Sequence, residues 1–240
     1  MTSSSEKCLT VVMPEYFPPL STLARVLASD VTVWADTFLF SKQTTMNRAR
    51  IKTVAGPEWL TIPVRHSAHE NAVLSVKIDP EHHWRHNHCK SLQVNYMNSP
   101  YYFFLQSKVD SLVQEHWSHL EPLIFKSFQF LCRRMRISAK VIKSSNMPTV
   151  SDRSERVCAW LETADCSHYL IDAGHLHFLD QGLIFKNGFK IIGFDFVPPV
   201  YPQVYHDFFR DLSGLDLLFN VGEQSRSILK KNSFIFPVSD

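Results

Sequence analysis

Four cations fall within eleven residues: Lys42, Arg48, Arg50 and Lys52, interleaved with Asn47 and the hydroxyls of Ser41, Thr44 and Thr45. Arginine offers a planar fork that fits phosphate or carboxylate, and lysine adds a compact point charge. The expected partner is a small molecule bearing such a group, although on charge alone the same run reads equally well as a solvated loop. A second group holds His82, His83, His86 and His88, with Cys89 beside them. On a helix His82 and His86 would share a face, as metal ligands do, yet the HExxH carboxylate is missing and no third ligand lies close, so no metal is expected. His175 and His177 alternate after Gly174 near Asp172. They suit acid–base chemistry at neutral pH, with ordinary turn residues as the simpler reading. There is no GxSxG elbow and no cysteine in a nucleophile context.

These residues must be positioned by a regular frame. Leu9 to Met13 reads as a buried strand, and the prolines Pro14, Pro18 and Pro19 forbid helix across the loop that follows. Ser21 is placed to cap a helix from Thr22 to Ala28, and Val31 to Ala35 is a second, β-branched strand. Strand, helix, strand predicts a parallel pair with a right-handed crossover. The loop Pro14 to Pro19 then lies at the carboxyl end of the first strand, where open α/β sheets bind ligands, though it lacks the glycines that cradle phosphate. Past the polar run, a turn at Ala55-Gly56-Pro57 leads to a strand from Trp59 to Val64, and Val73 to Ile78 alternates like another. Residues 83–137 are mostly helical, broken at Pro100 and Pro122. Strands are expected at Lys140 to Lys143, His168 to Ile171 and Lys190 to Phe196, with an amphipathic helix at Arg153 to Thr163. A last helix starts near Ser213 and stops at Gly222. The expected fold class is α/β: a mostly parallel sheet with an N-terminal βαβ unit in a Rossmann-like nucleotide-binding layout, plus a helical middle section. One domain over 1–240 is expected.

Composition narrows the function classes. With 45% hydrophobic residues and 18 Phe there is material for a sizeable core. Lys plus Arg number 25 against 23 Asp plus Glu, a net +2 that is too balanced for a dedicated nucleic-acid binder. The five cysteines, odd in number and without CxxC, point to reduced thiols. A signal peptide and a spanning segment are not expected, which disfavours a membrane role and makes the cytoplasm the expected location. No cofactor is named by these residues.

The ordered motifs resemble the WbqC-like family. They are Met13-Pro14-Glu15-Tyr16-Phe17-Pro18, Ala28-Ser29-Asp30, Phe40-Ser41-Lys42, Asn47-Arg48-Ala49-Arg50-Ile51-Lys52 and Trp59-Leu60-Thr61-Ile62-Pro63-Val64. Trp84 to His88, Asn95-Tyr96, Pro100-Tyr101-Tyr102, Tyr201-Pro202-Gln203 and Leu212 to Gly222 continue the match. Met13 stands where the family usually has Gln, Ser21-Thr22 replaces a Gly-Tyr pair, and Asp172 replaces a small hydroxyl residue. The resemblance implies bacterial surface-polysaccharide loci such as O-antigen clusters, or related secondary biosynthesis. It makes Ser41 to Lys52 the leading site. On this reading the protein is a transferase of acyl, aminoacyl or nucleotidyl groups. Arg48 and Lys52 would hold the anion with help from Lys42, and Asn47 would orient it. His88 would be general acid or base, Tyr96 and Gln203 would position the acceptor, and Asp36 would complete the catalytic set. The competing reading is a non-catalytic binding or scaffold subunit. The enzyme reading expects Lys42, Arg48, Lys52 and His88 to converge on one pocket.

Overall fold

A computed structural model describes residues 6–65, 71–80, 83–205 and 207–239. Its centre is a six-stranded sheet in the order β5-β2-β1-β6-β7-β8. The strands are β1 (Cys8–Val12), β2 (Val31–Trp34), β5 (Lys140–Lys143), β6 (His168–Asp172), β7 (Lys190–Phe196) and β8 (Ser233–Val238). All neighbours pair parallel except β7 with β8. A separate antiparallel hairpin holds β3 (Arg48–Thr53) and β4 (Gly56–Thr61).

Side chains alternate across the sheet, as strand geometry requires. Leu9, Val31, Val33, Tyr169 and Ile171 pack on one face, against α5 (Arg153–Thr163) and α6 (Gln181–Lys186). Val12, Trp34, Leu170 and Phe194 pack on the other, with α1 (Leu20–Leu27), α4 (Leu120–Arg134) and α7 (Gly214–Val221). Trp34 stacks on Phe128 of α4 at 4.9 Å between centroids. Burial on both faces explains why the central strands read as apolar runs. The β1–α1–β2 crossover therefore covers one face and β5–α5–β6 the other. Strand order reverses at β1, between β2 and β6.

The helices α2 (Trp84–Tyr96), α3 (Tyr102–Gln114) and α4 occupy the expected middle section. Elsewhere several expectations need correction. Pro19, not Ser21, precedes the first turn of α1; its fixed φ of −68° suits that position, and no side chain caps the helix. The polar run is not a loop to its end, because Arg48–Thr53 pairs residue for residue with Gly56–Thr61. That strand alternates buried Ala49 and Ile51 with cations, a half-buried pattern hidden by its charge. Val73 to Ile78 is not a strand throughout: Val73–Ser75 forms a 3-10 turn, held by Val73 and Leu74 amides donating to the Phe38 and Asp36 carbonyls, and only Lys77 and Ile78 pair, in isolated bridges to His119 and Val64. After Gly222 come α8 (Ser225–Lys231) and β8, neither of them expected from sequence.

Gly222 ends α7 at φ +56°, ψ −124°, a region closed to side chains, and a Cβ there would stand 2.4 Å from the Tyr101 ring. Replacing it with alanine adds backbone strain to overpacking. Gly222→Ala should lower stability by at least about 2 kcal/mol, read as a shift in the urea unfolding midpoint without a change of slope.

Candidate functional site

Reversal of strand order at β1 leaves its carboxyl end, and that of β6, without a covering crossover. A crevice of about 290 Å³ opens there. Met13 and Ile171 are among the residues that line it. Three guanidiniums border it: Arg25 from α1, and Arg153 and Arg156 from the first turn of α5. The Tyr169 hydroxyl lies within the field of all three, although burial is the larger influence and raises its pKa. Arg25 donates one bond to the Val11 carbonyl at 3.3 Å, while its buried Nε has no partner. Arg153 lies over the Phe178 ring at 5.0 Å. Arg156 donates to the Val150 carbonyl at 3.0 Å and lies over Phe38 and Trp160. Among the described residues, no carboxylate stands within ion-pair distance of these three arginines. His175 also lines the crevice.

A second hollow of about 390 Å³ shares Met13 with the first. Gln43 to Met46, Arg48 and Trp59 line it together with Glu15. Arg48 lies over the indole of Trp59 at 4.6 Å and donates to the Thr44 carbonyl. Glu15 accepts from Thr22 at 2.6 Å and from Thr45. Desolvation raises its pKa; the two hydroxyls and the charge of Arg25 oppose that rise. A carboxyl so placed can carry a proton nearer to neutral pH than an exposed one.

The other residues singled out from sequence are distributed differently. Lys42 is exposed on the turn before β3. Lys52 is 1% exposed and points inward; its amine donates to the Asp207 carbonyl and lies 5.7 Å from the Phe209 ring. Burial lowers its pKa, partly offset by Asp216. Tyr96 accepts from the Lys52 amide at 2.8 Å and donates to Asp216 at 2.8 Å, while Tyr201 donates to the other oxygen of Asp216 at 2.7 Å. Gln203 brackets Phe209 by bonding both its amide and its carbonyl. Asn47 and Ile62 exchange bonds at 2.7 and 2.8 Å, extending the hairpin. Asp36 takes both hydroxyls of Ser144 and Ser145 and the Ser145 amide, which ties the ends of β2 and β5 together. His88 faces inward, one ring nitrogen 3.2 Å from the Tyr16 hydroxyl and the other 3.2 Å from the Thr61 carbonyl. Lys42, Arg48, Lys52 and His88 thus do not converge on one pocket. The structure brings Lys52, Tyr96 and the Gln203 loop together in one buried network, and brings only Arg48 to an open hollow.

His83 and His86 face outward, His82 lies outside the described residues, and no group of three metal-ligating side chains occurs among the described residues. Sequence reasoning passed over Arg25, Arg153 and Arg156 because they are far apart in the chain. The available signal was topological: a ligand crevice is expected where strand order reverses. That expectation had been applied only to the Pro14 to Pro19 loop.

A sequence model of the WbqC-like protein family matches residues 13–228. The uncharacterized protein Rv1507c of Mycobacterium tuberculosis is similar at 22% identity over 226 residues, 93% of this chain and 98% of that one. No solved structure matches.

Burial pushes the His88 pKa from 6.5 down to about 4, so the folded chain holds the imidazole neutral while the unfolded chain protonates it first. The resulting stability is complete above pH 6.5 and is lost as pH falls toward 4, up to roughly 3 kcal/mol. Glu15 and Asp216, whose pKa values are raised, act in the opposite sense. Subtracting His88→Gln from wild type isolates the histidine: the stability gap should shrink between pH 6.5 and 4. Parallel urea-unfolding profiles across that range would refute this assignment.

Proposed function

The chain belongs to the WbqC-like protein family, and on that premise we propose that it is a transferase-type enzyme whose donor carries a phosphate or carboxylate into the crevice at the ends of β1 and β6. The supporting observation is the arginine trio. Three like charges around one hydroxyl, with no described carboxylate within ion-pair distance and only partial compensation from Glu15 and Asp152 further off, favour an anion among them. Arg153 over Phe178 and Arg156 over Phe38 and Trp160 are held by ring contacts, and Arg25 by its bond to the Val11 carbonyl, which makes them preorganised rather than mobile surface charges. Phe178, exposed at the crevice, offers flat apolar surface for a base or acyl chain next to the charged group.

The adjoining hollow, lined by Gln43 to Met46, Arg48 and Trp59, takes the acceptor. Glu15 moves the acceptor's proton, since a carboxyl with a raised pKa can both accept and return it. In this reading Asn47, Lys52, His88, Tyr96 and Gln203 hold the hairpin and its closing loop in place, and Asp36 holds β2 against β5. They shape the site without touching the ligand. The transferred group is acyl, aminoacyl or nucleotidyl, and the setting is surface-polysaccharide or related secondary biosynthesis, as the family resemblance implies.

Calorimetric titration with nucleotides, sugar nucleotides and acyl phosphates tests the reading. At least one should bind wild type. Arg25→Gln or Arg153→Gln should weaken it by about 10- to 100-fold, the scale of a lost charge-assisted bond. Glu15→Gln should leave donor affinity intact while abolishing turnover. Failure of the whole panel to bind would favour a non-catalytic scaffold subunit instead.

A further inference from the structure

The end of α2 and the start of α3 expose more apolar surface than solubility favours. Phe103 and Phe104 are 68% and 76% exposed, and Val94 and Met97 are exposed just before them. Phe104 shares its helix face with Lys108 and Ser111, four and seven positions further on. That face leads into a groove of about 530 Å³ between α3 and α4, where Lys108, Lys126, Arg133 and Arg134 surround Phe130. Glu115, the one carboxylate lining it, is already paired with Lys126.

We propose that this face docks on an anionic lipid bilayer, with Phe103 and Phe104 entering the headgroup–acyl boundary and the groove cations meeting lipid phosphates. The charge complementarity is layered, with apolar side chains at the tip and cations one turn behind. A bilayer surface has the same order of layers from acyl chain to headgroup. A soluble polyanion would use the groove and leave the phenylalanines in water. No described helix is long and apolar enough to cross a membrane, and the contact proposed is a peripheral one. The balanced net charge of +2 averages over the whole chain and conceals this local excess.

The test is sedimentation of the full chain with phosphatidylcholine vesicles, with and without phosphatidylglycerol. Binding should appear on the anionic vesicles only and fall as NaCl shortens the screening length. Phe103→Ser with Phe104→Ser should reduce it by about tenfold or more, and Arg133→Glu with Arg134→Glu should abolish it. These side chains are exposed or half-buried, so thermal unfolding should be nearly unchanged in both double variants. No binding to anionic vesicles overturns the proposal. Equal binding to neutral vesicles overturns the role of the groove. Binding to anionic vesicles unaffected by the serine pair overturns the insertion of Phe103 and Phe104.

Discussion

The crossovers on either side of β1 must cover opposite faces of the sheet, and that constraint governs where anything can bind. Right-handed connections carry β1 to β2 through α1 on one face and β5 to β6 through α5 on the other. Between them the carboxyl ends of β1 and β6 are left open. Helices entering from both sides deliver Arg25, Arg153 and Arg156 to the opening, although 128 positions separate the first two in the chain. The polar run between β2 and β4 is the next segment to pass the same end of the sheet. It contributes its turn, Gln43 to Arg48, rather than its whole length.

The rest of that run is anchored from below. Asp216 lies in the first turn of α7, where the helix dipole favours a negative charge, and takes two tyrosine hydroxyls. Through Tyr96 it reaches the Lys52 amide, so β3, α2, α7 and the loop of Tyr201 share one buried carboxylate. Removing any member leaves a buried polar group unpaired, a cost that exceeds the net value of the bond itself. A family motif can therefore match strongly at Asn95-Tyr96, Lys52 and Asp216 for reasons of assembly.

The sheet was legible because its strands are apolar runs bounded by turn residues. Lys140–Lys143, Arg153–Thr163 and Lys190–Phe196 fall where periodicity puts them, and Ser213 and Gly222 mark both ends of α7. Misses came where long-range pairing outweighs local pattern. β3 carries cations on its open side and reads as a loop until β4 pairs with it, and Val73 to Ile78 alternates like a strand but turns 3-10 at its start and makes only isolated bridges, from Lys77 to His119 and from Ile78 to Val64. The candidate site was legible in part. Charge clustering along the chain located Arg48, but it also selected Lys52, whose side chain turns inward. Clustering in space, which assembles the arginine trio, leaves no local trace.

An arginine trio with no described carboxylate within ion-pair distance has an energetic consequence for the fold. Each guanidinium raises the cost of the other two, and the unpartnered Nε of Arg25 adds the desolvation of a buried donor. On the proposed reading, an anion bound among the three would offset both terms and, by binding the folded chain alone, would raise its stability through mass action. Arg156 is held by backbone carbonyls and aromatic rings, and the Asp152 carboxylate that caps α5 offsets part of its charge from beyond ion-pair distance, so the repulsion within the trio is reduced without being cancelled.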